Sequence, residues 1–190
     1  MIVADIRTRL LRLPFTDPPR WSAGYDRPRE LEVETQSGVV GMGYLMVLSG
    51  GLRTIATCID ELLKPLVVGR SITEVEGIWH DLYRATYWVG RMGVTMFAQS
   101  AIDIALWDAM GKATTLPLHR LWGHVTSEIP AYGSGCWRGL GREGMIEKAH
   151  RYTEAGFSSI KMQVGHMYDK HTDVANVAAM RAAVGDGIDI

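Results

Sequence analysis

The chain has 190 residues, 47% hydrophobic and 22% charged, with a formal net charge of −1. This is an ordinary globular balance, enough for one large domain or two small ones, and it gives no electrostatic footprint for nucleic acid or an anionic membrane surface. No apolar run approaches the ~20 residues of a membrane span, and charge at Asp5 and Arg7 interrupts the N-terminus too early for a signal peptide.

Two distant cysteines, Cys58 and Cys136, match no metal or redox spacing and read as free thiols of a reducing compartment. A soluble, cytoplasmic protein is expected.

Residues 2–13 read as a strand. An irregular segment from Pro14 to Pro28 follows, holding four of the seven prolines together with Phe15, Trp21 and Tyr25. Connections of that length are often lids or binding loops, and polar Arg20, Ser22 and Asp26 are interleaved with the aromatics. A proline-stiffened connector is the other reading. Residues 29–48 pattern as a hairpin, with Leu31, Val33 and Thr35 alternating with Glu30, Glu32 and Glu34 and a turn at Ser37-Gly38. Gly41 and Gly43 on the return strand suggest a bulge or close packing.

Three helical segments follow. Leu52 to Val67 is apolar at helical spacing. Thr73 is expected to cap a second helix, with Glu76 closing a capping box. The third runs from Thr95 to Ala113, and its Ala98, Ala101, Ala105 and Ala109 share a face that another element can approach closely. Asp103 and Asp108 lie on this helix and read as structural pairing groups. The helix stops before Pro117, and Gly123 marks a boundary near His124.

The pattern then changes to β-α-β-α-β. Strands are expected at Ile129–Tyr132, 158–164 and from Ile188, with helices at Arg142–Ala155 and Lys170–Val184. Such alternation is the grammar of a parallel sheet or barrel.

The segment Ser158 to Val164 carries the strongest chemical signal. Ile160, Met162 and Val164 point to one face, and Ser159, Lys161 and Gln163 to the other. Lysine is rarely buried without a partner. Lys161 and Gln163 therefore either face a polar cavity, as a grip for an anionic ligand, or lie at a strand end where the lysine reaches water. Ser134 and Cys136, past the first strand of this region, can line a pocket mouth, but no base or orienting acid makes either a nucleophile. Gly139, Gly141 and Gly144 match G-x-G-x-x-G, yet the acid that a ribose would need is missing after the next strand. His166, His171 and Asp173 do not share a helix face as ligands would, and read as a solvated loop and helix start.

Ala101–Lys112, followed by Leu116-Pro117-Leu118 and Leu121-Trp122-Gly123, resembles the hallmark helix and turn of the enolase superfamily, in its mandelate racemase and muconate-lactonising branch. The hairpin Thr35–Gly43 resembles that family's capping-domain hairpin, and Gly156 to Gly165 its second barrel strand. The resemblance implies an α+β capping domain (an antiparallel sheet plus a helical bundle) over residues 1–125. Residues 126–190 would then be the first βα units of a TIM-like (β/α) barrel, incomplete in this chain. It also implies binding of a carboxylate substrate, abstraction of its α-proton, and Mg²⁺ to stabilise the enediolate.

Barrel sites lie at the C-terminal ends of the strands, where the resemblance places Lys161 against the substrate carboxylate and Gln163 as a hydrogen-bonding neighbour. Trp21, Tyr25 and Ser134 are the expected substrate contacts. Many family members carry a second lysine as base where this chain has Gln163, and an amide cannot remove a proton. The base is then expected elsewhere, and one-sided dehydration suits the site better than two-base racemisation. The family's metal-binding acids begin at the end of the third strand, so the Mg²⁺ ligands are expected beyond Ile190 and none within this chain.

The expected function is thus the front portion of an acid-sugar dehydratase, a homo-oligomer when full length, with a racemase, epimerase or cycloisomerase as the near alternatives. A truncated, non-catalytic chain or a capping-domain binding module is the reading from another class.

Overall fold

The structure is a computed structural model that describes residues 1–10, 29–36, 38–45, 50–165 and 170–190. The expected loop from Pro14 to Pro28, with Trp21 and Tyr25, lies outside the described residues, as do Ser37 and His166. Among the described residues the chain divides into two compact units, which meet in sequence at Val125 and Thr126.

The first unit opens with three antiparallel strands in the order β1 (Val3–Leu10), β2 (Arg29–Thr35) and β3 (Val40–Leu45). Arg7 pairs with Glu32 in register, and its side chain bridges to Asp5 and Glu34 on the polar face. Val3 and Ile6 are both fully buried although period-two alternation would set residues three apart on opposite faces; the register shift between Val3 and Asp5 reconciles them.

Helix α1 (Leu52–Thr57) continues through a π-helical stretch, Cys58–Leu63, into a 3₁₀ turn at Lys64–Leu66. The expected single helix is therefore helical throughout but changes pitch, and Pro65, which lacks an N–H, lies in its final turn. Helix α2 (Val75–Ala85) is led in by a capped turn. The cap is Ser71, not Thr73: its Oγ accepts the Thr73 N–H at 3.3 Å, while Glu74 accepts the Ser71 N–H at 3.2 Å. Two overlapping boxes compete in this sequence. The earlier one wins because Ser71 is bridged to Ile2 of the sheet and Ile72 is buried beside it.

Helix α3 (Val94–Thr114) is the centre of the unit and buries residues around much of its circumference. Ile102 and Leu106 join the core formed with Ile55, Leu63, Ile78 and Leu82. Each such side chain contributes roughly 1.5–3 kcal/mol when fully buried.

The alanine face of α3 receives β3. A Cβ at Gly41 would stand 2.0 Å from the Ala105 carbonyl oxygen, and one at Gly43 2.2 Å from that of Ala101. The two glycines thus serve close packing. Asp108 secures the contact by accepting the Met42 N–H at 2.7 Å, and its partner Lys112, 2.6 Å away, donates to the Val40 carbonyl. The helix ends at Thr115, in the left-handed region with φ 55°, before Pro117 and the short α4 (Leu118–Leu121).

In the second unit β4 (Gly133–Cys136) pairs in parallel with β5 (Ile160–Met162), and Ser159 bridges in parallel to Asp189. Helices α5 (Gly141–Glu154) and α6 (Lys170–Val184) pack together over a small core of Cys136, Met145, Ala149, Ile160 and Met180. The first strand lies later than expected, at 133–136 and not at Ile129–Tyr132. Pro130 cannot donate to a ladder, and the glycines of β4 give the close approach that α5 requires: a Cβ at Gly133 would lie 2.4 Å from the ring of Tyr152. Tyr152 then donates its hydroxyl to the Ser134 carbonyl at 2.6 Å. No helix among the described residues is long and apolar enough to cross a membrane.

Candidate carboxylate-binding site

Ser134 and Lys161 are register partners on the two parallel strands. With Gln163 they line an open cavity of about 290 Å³, which also takes in Cys136, Trp137 and Met162. The space is thus largely apolar with three polar groups at its wall, the composition usual for a small-molecule site. It is less polar than the strand pattern suggests, because the cavity wraps the end of β5 and reaches both faces.

Lys161 is exposed. Its Nζ donates to the Tyr132 hydroxyl at 3.3 Å and lies 5.0 Å from the centre of that ring. Tyr132 was not singled out by sequence reasoning. The signal was the period-two relation of Tyr132 to Ser134, hidden by treating Tyr132 as the end of a strand.

Gln163 is half-buried. Its backbone N–H donates to the Cys136 carbonyl at 2.9 Å, and its Oε1 accepts the Arg138 N–H at 3.3 Å. Because a backbone N–H must meet an oxygen, this contact fixes the amide orientation. The NH₂ is left as the end that can donate to a ligand.

The loop after β5 is held from two sides. Asp173 accepts the Gly165 N–H at 2.9 Å, and the Arg138 guanidinium donates to the Gly165 carbonyl. Asp173 therefore pins a backbone turn. Gly139, Gly141 and Gly144 lie in the 3₁₀ turn Arg138–Leu140 and the first turn of α5. Burial, partly offset by Lys148, pushes the Cys136 thiol up, so this cysteine is a poor nucleophile.

Between α2 and α3 apolar side chains close around Gln99 and Asp103 in a seam too narrow to hold a water molecule. Gln99 Nε2 donates to the Trp79 carbonyl at 2.9 Å, while its Oε1 is buried without a partner. Asp103 faces the Glu76 carboxylate, not a cation, among the described residues; burial first, and that like charge second, raise its carboxyl. The pairing expected for both helix aspartates holds for Asp108 alone.

Cation and amide donor converge at the strand-end cavity, which makes it the candidate site. Among the described residues no three His, Cys, Asp or Glu side chains gather in a way that could hold a metal ion. The residues here can bind and orient an anion; none is placed to take a proton from carbon.

Residues 29–123 match the family "Mandelate racemase / muconate lactonizing enzyme, N-terminal domain". The chain is 31% identical over 189 residues to the 3,6-anhydro-alpha-L-galactonate cycloisomerase of Streptomyces coelicolor, covering 97% of this chain and 52% of that protein. It is 30% identical over 170 residues to the arabinonate dehydratase of Saccharolobus solfataricus, covering 87% and 45%. The crystal structure of a racemase from Streptomyces coelicolor A3(2) with bound magnesium superposes with a TM-score of 0.88 at 31% identity, covering 98% of this chain and 53% of that one. The chain spans about half the length of these relatives. It belongs to the mandelate racemase / muconate lactonizing enzyme family of the enolase superfamily.

Proposed function

We propose that these residues form the capping domain, 1–125, and the first barrel units, 126–190, of a longer magnesium-dependent enzyme that removes the α-proton of a carboxylate substrate, and that the enzyme is an acid-sugar dehydratase. The observation that carries this reading is the convergence of Lys161 and Gln163 on one cavity at the end of a parallel strand. An α-proton beside a carboxylate is very weakly acidic, and removing it builds negative charge on the acid oxygens. Lys161 meets that charge. A pair of unit charges 4 Å apart interacts by about 1 kcal/mol in water and about 4 kcal/mol at an effective dielectric of ~20. Closing the cavity therefore decides how much Lys161 contributes.

Gln163 donates its NH₂ to a substrate oxygen, worth about 0.5–1.5 kcal/mol net. Ser134 lies beside Lys161 as a further contact, and Trp21 and Tyr25 complete the proposed set. Magnesium belongs to the whole enzyme; the described residues do not fit it, and their part is to bind and neutralise the carboxylate. An amide at position 163 favours one-sided elimination over two-base racemisation. The cycloisomerase relative, matched over 97% of this chain, supports cycloisomerisation as the second reading. A homo-oligomer is part of the proposal.

The test is to express the chain with its natural downstream coding sequence and offer it a panel of acid sugars. An α-keto acid released with loss of water supports dehydration, and an isomer of unchanged mass supports the second reading. Neither product across the panel removes both.

A further inference from the structure

Helix α4 ends in a reversal that sets two histidines side by side. In a continuous helix His119 and His124 would stand about 140° apart around the axis, at ~100° per residue. Here Pro117 enters α4 extended, and Gly123 follows it with φ 92°. A Cβ at Gly123 would meet nothing within 4 Å, so the glycine serves the backbone angle, which other residues rarely adopt. The chain turns back, and the two imidazole rings come to 5.2 Å between centres, tilted by 54°.

The turn is held in place by its backbone and by one aromatic anchor. The Arg120 and Leu121 N–H groups donate to the Pro117 carbonyl at 2.9 and 3.3 Å, and the Trp122 N–H to the Leu118 carbonyl at 3.0 Å. Trp122, between the two histidines in sequence, meets Trp107 of α3 edge to face at 5.3 Å, and Trp107 packs on the core. Both histidines are exposed. Groups fixed in advance lose little freedom when a ligand arrives.

We propose that His119 and His124 form a two-imidazole site for a divalent transition-metal ion of the zinc kind. A zinc-bound imidazole nitrogen lies about 2.0–2.1 Å from the metal with its ring centre about 1.1 Å behind it, so ring centres 5.2 Å apart give a shared ion an angle of about 109°, the tetrahedral value. Imidazole suits zinc, copper and nickel, whereas magnesium takes oxygen ligands. The site is therefore distinct in chemistry from the magnesium of the proposed function, and it does not rest on that reading. Among the described residues no third His, Cys, Asp or Glu gathers with the pair, so water completes the coordination shell. A bound ion ties α4 to the end of the first unit, which closes at Val125.

Calorimetric titration with zinc chloride tests the site, using the protein expressed with its natural downstream sequence and saturated beforehand with magnesium. The expected result is a zinc site weakened at least tenfold in His119→Gln and, separately, in His124→Gln. The double variant should bind no more weakly than the weaker single one, because losing either ligand already breaks the chelate. His150→Gln, at an exposed histidine of α5, is expected to leave the site unchanged. Circular dichroism checks that each variant is folded, and either single variant decides if the other is not. No zinc uptake up to about 100 μM, uptake that neither change weakens or only one weakens, or an equal loss in His150→Gln overturns the proposal. Each of these outcomes leaves the proposed enzyme function standing.

Discussion

Lys161 Nζ lies 3.3 Å from the Tyr132 hydroxyl and 5.0 Å from the centre of the same ring. The ammonium is therefore met by a phenol oxygen and an aromatic face while its site remains open. On the proposed reading Tyr132 is a positioning residue for the cation that grips the carboxylate. Tyr132→Phe keeps the ring and removes the oxygen, and is expected to weaken carboxylate binding by less than about threefold. Tyr132→Ala also removes the cation–π contact, worth about 0.5–1 kcal/mol at an exposed site, and is expected to weaken it further, by about tenfold in all. Titration of the full-length protein with a non-reacting acid-sugar analogue measures both.

The fit of β3 on α3 leaves no room for a side chain. Gly41→Ala sets a methyl against the backbone of Ala105 and Gly43→Ala against that of Ala101. Backbone cannot rotate away as a flexible side chain can, so each change is expected to cost about 2–3 kcal/mol, as overpacking does. Urea unfolding checks this; a loss under 0.5 kcal/mol in both would mean that β3 does not seat as described.

The capping box assigns different weights to two neighbouring hydroxyls. Ser71→Ala removes the acceptor for the Thr73 N–H and is expected to cost about 1 kcal/mol. Thr73→Ala removes only the 2.9 Å contact between the Thr73 and Ser71 hydroxyls and is expected to cost under half of that, by the same unfolding measurement.

Asp103 gives a signed pH dependence. Burial and Glu76 raise its carboxyl in the folded state. The folded chain thus holds this proton more tightly than the unfolded chain. That stabilisation is fully present below the unfolded pKa of about 3.9 and is lost as pH rises through the folded value. Asp103→Asn is therefore expected to be more stable than the unaltered chain, relative to their difference at low pH, once pH exceeds the raised value. Parallel stability curves for the two proteins across the acidic range would contradict this.

The helical periodicity of Thr95–Ala113 and the alternation of 29–45 were legible because one physical pattern dominates each. The alanine face and the two glycines of β3 also pointed to a close approach, and the structure supplies the partner. Residues 129–136 were misread for the opposite reason. Ile129 and Tyr132 have high strand propensity, but the ladder forms at the glycine-rich stretch beside them, where Tyr152 demands small residues. Local preference cannot reveal a constraint imposed by a helix that follows in sequence. The same holds for the cap, where two boxes are equally good locally and tertiary anchoring of Ser71 decides.

Within the site, strand alternation paired Lys161 with Gln163, and Ser134 was placed at the pocket mouth. Tyr132 escaped notice because its relation to Lys161 crosses between strands. What Gln163 can offer, an amide NH₂ with its oxygen already engaged by Arg138, depends on a contact that no spacing rule contains.

The most direct test of the carboxylate grip is α-proton exchange in D₂O by the full-length enzyme with magnesium and its best acid-sugar substrate, comparing Lys161→Ala with Gln163→Ala. A charge contact of about 1–4 kcal/mol and a neutral hydrogen bond of about 0.5–1.5 kcal/mol predict unequal losses. Lys161→Ala should reduce exchange by between about fivefold and several hundredfold, and Gln163→Ala by about two- to tenfold, leaving measurable turnover. Undiminished exchange in Lys161→Ala, or an equal and total loss in both variants, would contradict the account.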